Sequence, residues 1–342
     1  MSPSLAGDSH ETAIVVGEAS GVSAARRCAA ELSRQAGLDE TAAGRMAIVV
    51  TEAATNMVKH GAGGEILLQR IAVGSVSGLE MLALDRGRGI PDVGDALRDG
   101  YSTAGSAGTG LGAIARQADL CEIYSGLGRG TAVLAQVWAA PLPGGRPDGL
   151  RTGAAAAPHQ GEEVSGDGWL VVWRERRLLT LVVDGLGHGP PAAEARREGV
   201  RIFRDSPATD PAKLVATIHA GLRSTRGAAV AVSAIDLDHG RVTFSGLGNI
   251  GGAVLADGHV RHLMSHTGTA GHAARKIDAH TYAWPDNSLL VQHTDGLASH
   301  WTLESYPGLS ARHPSLVAGV LYRDFKRGRD DVAVLVVSGV AR

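Results

Sequence analysis

Four acidic sites lie far apart in the second half of this chain: Gly166-Asp167, Asp184-Gly185 within DGLGHG, Asp295-Gly296 within TDG, and Asp330-Asp331. Three of them set Asp beside Gly, and three follow or begin apolar, strand-like runs. A carboxylate at a strand tip is a good oxygen ligand for a hard cation. The adjacent glycine lets backbone and water come close. A fold that gathers several such tips builds a two-metal hydrolytic centre. The first half carries a different grammar, in which glycine loops follow a polar helix face.

The chain has 342 residues, a length that suggests two domains. Apolar residues make up 44% and aromatics 4%, so the cores must rest on Val, Leu, Ile and Ala. The formal net charge is -2 and no long basic block occurs, which argues against nucleic-acid binding. Cys28 and Cys121 lie in regular segments and read as buried small apolar groups rather than a disulfide. No apolar run reaches membrane-spanning length, and the N-terminus lacks the basic-then-apolar order of a signal peptide. The expectation is a cytoplasmic protein with no membrane contact.

Periodicity and punctuation predict two units. In residues 1–139, strands are expected at Ala13–Val16, Glu65–Val73, Leu79–Asp85, Leu120–Ser125 and Thr131–Trp138. Helices are expected at Gly21–Ala36, Asp39–His60 and near Leu111–Ala118, with Asp39 as a cap and Gly61 as a stop. Residues 140–157, rich in Pro, Gly and Ala, read as a linker. Residues 158–342 read as strand-dominated, with helices at Pro191–Asp205, Pro211–Leu222 and Pro314–Asp324.

Within TEAATNMVKHG, Glu52, Asn56 and His60 recur every four residues and share one helix face. Alone, that stripe is as well explained by solvation. It is followed by Asp85, Gly87 and Gly89 in LALDRGRGIPD, where an aspartate after a strand can accept from an adenine amino group. Gly105, Gly108, Thr109, Gly110 and Gly112 then precede a helix, a loop type that offers backbone N–H groups to phosphate. GRGTAV places Thr131 at the start of a strand. The ordered set resembles the GHKL (Bergerat-type) ATP-binding fold, and more closely the RsbT/RsbW serine/threonine switch kinases. The resemblance implies that Asn56 holds Mg²⁺ on ATP and that Glu52 is general base toward a Ser or Thr hydroxyl. It places Asp85 and Thr131 at adenine, and Gly87, Gly89, Gly108, Thr109, Gly110 and Gly112 around the nucleotide. The lid reads TGLGAI and lacks the second leucine of the common pattern.

The second half carries SGDGW, LVVDGLGHGP, FSGLGNI, HTDGL and RDDVAVLVV in that order. A lone Asp-Gly is usually a turn, but Asp184 and Asp295 both end apolar runs. Together these motifs resemble the PPM (type 2C) serine/threonine phosphatases of the SpoIIE/RsbX branch. That implies an αββα sandwich with two Mn²⁺ or Mg²⁺ ions between its sheets, held by Asp167, Asp184, the Gly185 carbonyl, Asp295 and Asp330. Water activated there attacks the phosphoester in line. His188 either protonates the leaving alkoxide or packs beside the metals. FSGLGNI gives no metal ligand and is structural or substrate-facing. Thr294 replaces the commoner serine before Asp-Gly, and Ala333 the commoner threonine after the Asp pair.

The expected fold class is α+β, an ATP-binding α/β sandwich followed by a PPM-type sandwich. The resemblance implies a bifunctional switch enzyme acting on a STAS-domain anti-sigma antagonist or stressosome-type protein, with homodimerisation left open. The alternatives are a first unit that only binds its partner in a nucleotide-dependent way, or one that senses nucleotide for a phosphatase with a diffusible substrate.

Overall fold

In a computed structural model, residues 4–7, 12–97, 110–142 and 149–339 are described. After the short strand β1 (Ser4–Gly7), the first unit comprises β2 (Thr12–Val16), α1 (Ala19–Gln35), α2 (Glu40–His60), β3 (Gly64–Val73), β4 (Val76–Asp85), α3 (Val93–Ala96), α4 (Gly110–Gln117), β5 (Leu120–Ser125) and β6 (Thr131–Trp138). Its antiparallel sheet runs β2-β3-β4-β6-β5. Asp39 caps α2 by accepting from the Ala42 amide at 2.7 Å, as its position before the apolar run predicts.

The second unit contains β7 (Leu150–Ala157), β8 (Asp167–Arg174), β9 (Arg177–Gly185), α5 (Pro190–Asp205), α6 (Pro211–Gly221), β10 (Ala228–Asp236), β11 (Arg241–Leu247), β12 (Gly251–Ala256), β13 (His259–His262), β14 (Ser265–His266), β15 (Gly268–Thr269), β16 (Ala273–Ala274), β17 (His280–Ala283), β18 (Leu289–His293), α7 (Pro314–Phe325) and β19 (Val332–Gly339). One sheet runs β1-β8-β9-β10-β11-β14, with β17 also on β11, and the facing sheet runs β13-β12-β18-β19-β7. The expected linker, 140–157, is not linker throughout, since β7 occupies its second half. Leu150–Ala157 pairs antiparallel with β19 along its whole length. Likewise β1, inside the expected first unit, pairs with β8 of the second.

The cores stack in layers. Alternate residues of β4 face opposite ways. Leu79, Met81 and Ala83 pack with Val49, Val50 and Ala53 of α2, while Leu82 and Leu84 pack with Val317, Val320 and Leu321 of α7. The other side of α7 covers Val334 and Val336 of β19 and Ala155 and Ala157 of β7. Beyond that lie the facing sheet, through Leu335 and Val337 against Trp169, Val171 and Val182, and then α5 and α6. The order is two helices, sheet, α7, sheet, sheet, two helices.

A buried carboxylate fixes the α7 contact. Glu80, 2% exposed, accepts from Gln69 and Gln136 on its own sheet and from the Ser315 hydroxyl of α7 at 2.9 Å. Gln69 also donates to the Ala154 carbonyl of β7 at 3.3 Å. Leu84→Ala opens a void between β4 and α7, and such core truncations cost about 2–5 kcal/mol. Because α7 belongs to the second unit, calorimetry should show a single transition at lower temperature. Two separated transitions, with only the first displaced, would contradict this packing.

Candidate functional site

Two constellations form. The first is a cavity of about 350 Å³ at the C-terminal end of α2, lined by Asn56, Met57, His60, Asp85, Gly89, Gly110, Leu111, Ile114 and Thr131, among others. Asn56 and His60 reach it because they lie one turn apart on α2. A Cβ placed on Gly110 would come 3.0 Å from the Asn56 amide and 3.3 Å from a Glu52 oxygen. The N-terminus of α4 therefore abuts both side chains, as closely as a glycine backbone permits.

Asp85 ends β4 inside this cavity. Its Oδ1 accepts from the Gly87 amide at 2.8 Å and the Thr131 amide at 3.2 Å, and burial raises its pKa. Gly89 (φ +76°) lines the cavity too, and its missing Cβ would otherwise strike the Gly126 carbonyl. Gly112 is buried within α4. Gly105, Gly108 and Thr109 lie outside the described residues. Ser125, which no motif singled out, ties the rim together. Its hydroxyl accepts from the Ile90 amide at 2.8 Å and lies 3.0 Å from the Thr131 hydroxyl.

The second constellation lies where the two facing sheets of the second unit meet. Asp167 and Asp184 are directly paired on β8 and β9, and Asp295 and Asp330 lie at the ends of β18 and β19. Burial raises Asp184 to about 7, reinforced by Asp295, Asp330 and Asp331. Burial also raises Asp167 strongly, with Asp184 the next cause, and raises Asp295, with Asp330 next. Among the described residues, no three His, Cys, Asp or Glu side chains already stand at ligand spacing. Burial dominates each of these shifts, and the charges of neighbouring carboxylates add to it.

Local contacts decide which oxygens stay available. Asp331 accepts from the His159 amide at 2.6 Å and the Gly166 amide at 2.5 Å, so of the Asp pair it is Asp330 that remains open. Asp330 Oδ1 accepts from the Asp331 amide at 2.9 Å. Asn249, in the FSGLGNI segment, donates to Asp295 Oδ2 at 2.7 Å. FSGLGNI is expected to be structural or substrate-facing, but its asparagine cannot be singled out, because one Asn in a loop has no spacing to read. A Cβ on Gly296 would lie 1.9 Å from the Asp331 carbonyl, so glycine is what lets the two acidic loops touch. The Gly185 amide donates to the Gly166 carbonyl at 3.0 Å.

His188 is exposed. Its Nδ1 lies 2.6 Å from Glu162, and its ring lies 5.5 Å from that of His159. Among the described residues, its hydrogen bond is to Glu162 rather than to Asp167, Asp184, Asp295 or Asp330.

The residues fit a cation centre. Asp167 Oδ2 is buried without a hydrogen-bond partner among the described residues, and the carboxylates around it raise one another's pKa. Without a cation, the sign of the pH effect follows. The folded-state pKa of Asp184 lies above its unfolded one. Its stabilising contribution is then full below about pH 4 and lost as pH climbs toward about 7. Thermal melts of chelator-treated protein should fall across that window, and Asp184→Asn should flatten the fall. Identical slopes for the two proteins would contradict this assignment.

Known proteins resemble both halves. Residues 16–137 match the histidine kinase-like ATPase domain family, and residues 174–339 match the stage II sporulation protein E (SpoIIE) family. The serine/threonine-protein kinase RsbT of Bacillus subtilis (strain 168) is 31% identical over 34% of this chain and 86% of its own length. The phosphoserine phosphatase RsbX of the same organism is 22% identical over 40% of this chain and 70% of its own length. A solved structure from the bacterial stressosome, described as a modular system adapted to control secondary messenger signalling, superposes with a TM-score of 0.52 at 25% identity. It covers 55% of this chain and 98% of that one. Among the described residues, no helix is long and apolar enough to cross a membrane. The chain belongs to the RsbT family of histidine kinase-like ATPase domains, fused to a SpoIIE-type PPM domain related to RsbX.

Proposed function

We propose that this chain is a bifunctional partner-switching regulator. Its first unit transfers phosphate from ATP to a Ser or Thr of a STAS-domain antagonist or stressosome-type protein, and its second unit hydrolyses such a phosphoester. The observation that carries the reading is the presence, on one chain, of the Asn56–Asp85 cavity and the converging carboxylates around the orphaned Asp167 oxygen. The similarity to RsbT and RsbX supports it from a second direction.

In the first unit, Asp85 reads adenine while the Gly87 and Thr131 amides hold its Oδ1 in place. Asn56 would hold the Mg²⁺ that neutralises phosphate charge. Glu52, one turn away on α2, takes the proton of the attacking hydroxyl. In the second unit, Asp167, Asp184, the Gly185 carbonyl, Asp295 and Asp330 would hold two Mn²⁺ or Mg²⁺ ions. Such ions supply charge neutralisation on the phosphate and a water acidic enough to attack at neutral pH. Asn249 keeps Asp295 oriented, and Asp331 locks the β19 loop to the backbone before β8. Both are supports that a ligand set of this kind requires.

Purified partner incubated with ATP, then with Mn²⁺ alone, separates the two activities, and phosphosite mapping identifies the residue. Glu52→Ala should lower phosphate transfer by about 100-fold or more, with nucleotide still bound. Asp184→Asn should abolish release of phosphate from the phosphorylated partner and from an aryl phosphate. Transfer that survives Glu52→Ala removes Glu52 as base. A wild-type protein that binds nucleotide and partner yet never transfers phosphate makes the first unit a binding module.

A further inference from the structure

The C-terminal end of α7 touches both constellations. Arg323 is 5% exposed, and its Nη1 donates to the backbone carbonyl of Asp85 at 3.0 Å. Its Nε and Nη2 form a fork on Asp324, at 2.9 and 2.7 Å. Arg86, the residue after Asp85, returns the contact. It donates to the Arg323 carbonyl and pairs with Asp324 at 3.5 Å. Tyr306 donates to the same carboxylate at 3.0 Å. The peptide that carries the adenine-side aspartate is thus held by two arginines and one acid, and two of those three belong to the second unit.

The chain leaves α7 directly into the other site. Lys326 reaches Glu65 on β3 and pairs with Leu297 as an isolated bridge. The Ala298 amide donates to the Phe325 carbonyl at 2.9 Å, and the Arg327 amide to the Gly296 carbonyl at 2.8 Å. Residues 325–327 therefore clamp the 295–298 loop, which carries Asp295, and Asp330 follows within the same segment. The opposite end of α7 is anchored away from either site. There Ser315 meets Glu80, and the His313 amide donates to Glu122 at 2.9 Å. At 1.5 Å per helical residue, Ser315 lies about 12 Å along α7 from Arg323.

We infer that Arg323 is a positioning residue shared by the two sites, holding Asp85 from α7 and thereby linking nucleotide occupancy to the order of the 295–298 and 326–331 loops. The inference rests on the nucleotide and phosphatase readings above and deepens them. The coupling is positive. A nucleotide that orders the Asp85 peptide also orders the helix end that grips it, so less ordering remains to be done at the acidic loops. Linkage makes the effect reciprocal for binding.

The test uses the full chain. Amide hydrogen exchange is followed at 295–298 and 323–331 with and without ADP, with ADP binding measured in parallel. Hydrolysis of an aryl phosphate by the Mn²⁺-loaded protein gives a second readout. In the wild type, ADP should increase protection in both loops and raise kcat by about 5-fold or more, the lower range of typical allosteric coupling. Arg323→Lys retains the cation and most of its packing but loses the fork, and should weaken ADP binding and remove the loop protection. Should Arg323→Lys not fold, Arg86→Ala, on a side chain 65% exposed, breaks the same junction and should blunt the response. ADP binding with unchanged exchange at both loops overturns the inference and leaves the two functions standing. Absence of any ADP binding overturns the nucleotide reading and this inference together. Loop protection that persists in both variants shows that the link does not pass through Arg323.

Discussion

Everything in this molecule is arranged around one helix with two apolar faces. A strand whose residues are apolar at both parities cannot leave either side to water. β4 is such a strand, buried from Gly78 to Leu84. The helices of its own unit cover only one side. α7 covers the other, and in doing so also closes the outer face of the β18-β19-β7 sheet. Interfaces between domains of one chain are commonly modest and polar, and permit relative motion. This one is an extended apolar core with a satisfied carboxylate inside it, and it makes the two units behave as one packed body.

The polar sites are built by a different device. In each, a backbone group removes freedom from one carboxylate oxygen and leaves another available. Asp85 gives Oδ1 to the Gly87 and Thr131 amides. Asp331 gives both oxygens to backbone amides, which turns an adjacent Asp pair into one strut and one open ligand. Amide donors lower a carboxylate's pKa while burial raises it. Burial raises Asp331 even against two such donors, and raises Asp167, with its orphaned oxygen, more strongly. The strain of unshared negative charge is concentrated on Asp167 and Asp184, side by side on neighbouring strands.

The parts of this fold that were legible in sequence are those set by local rules. β5 and β6 begin and end where the alternation and flanking Gly and Asp residues put them, and α2 starts at its Asp39 cap. The candidate site aspartates were legible because Asp85, Asp184 and Asp295 follow apolar runs, while Asp167 and Asp330 stand just before them. β7 was not, since LRTGAAAA lacks the β-branched and aromatic residues that strands favour. Its small side chains are what long-range packing selects, beneath α7 and beside β19. A Cβ on Gly153 would lie 2.1 Å from the Ser315 amide. β1 was hidden for the same reason, its pairing with β8 being wholly non-local. Asn249 stands out only as part of FSGLGNI, without a role of its own, and Arg323 carries no sequence signal. One is a single amide in a loop, and the other reads as an ordinary charge on an amphipathic helix. β4 needs a cover on both faces, but nothing local to it says that the second cover arrives more than 200 residues later.

Under the proposed function, fusing opposed activities creates a kinetic problem that rigidity bears upon. Two sites tethered by a loose linker would see a common partner at high effective concentration and act on it in any order. Two sites fixed to either side of α7 cannot both swing onto one phosphoresidue. The partner must dissociate or turn between them, or present different residues to each. Under either course, net phosphorylation depends on how occupancy of one site changes the other rather than on proximity alone. The junction at Asp85, Arg86, Arg323 and Asp324 is where such a dependence has a physical path, because there polar contacts of the Asp85 cavity reach the end of α7, whose next residues hold the 296–298 loop.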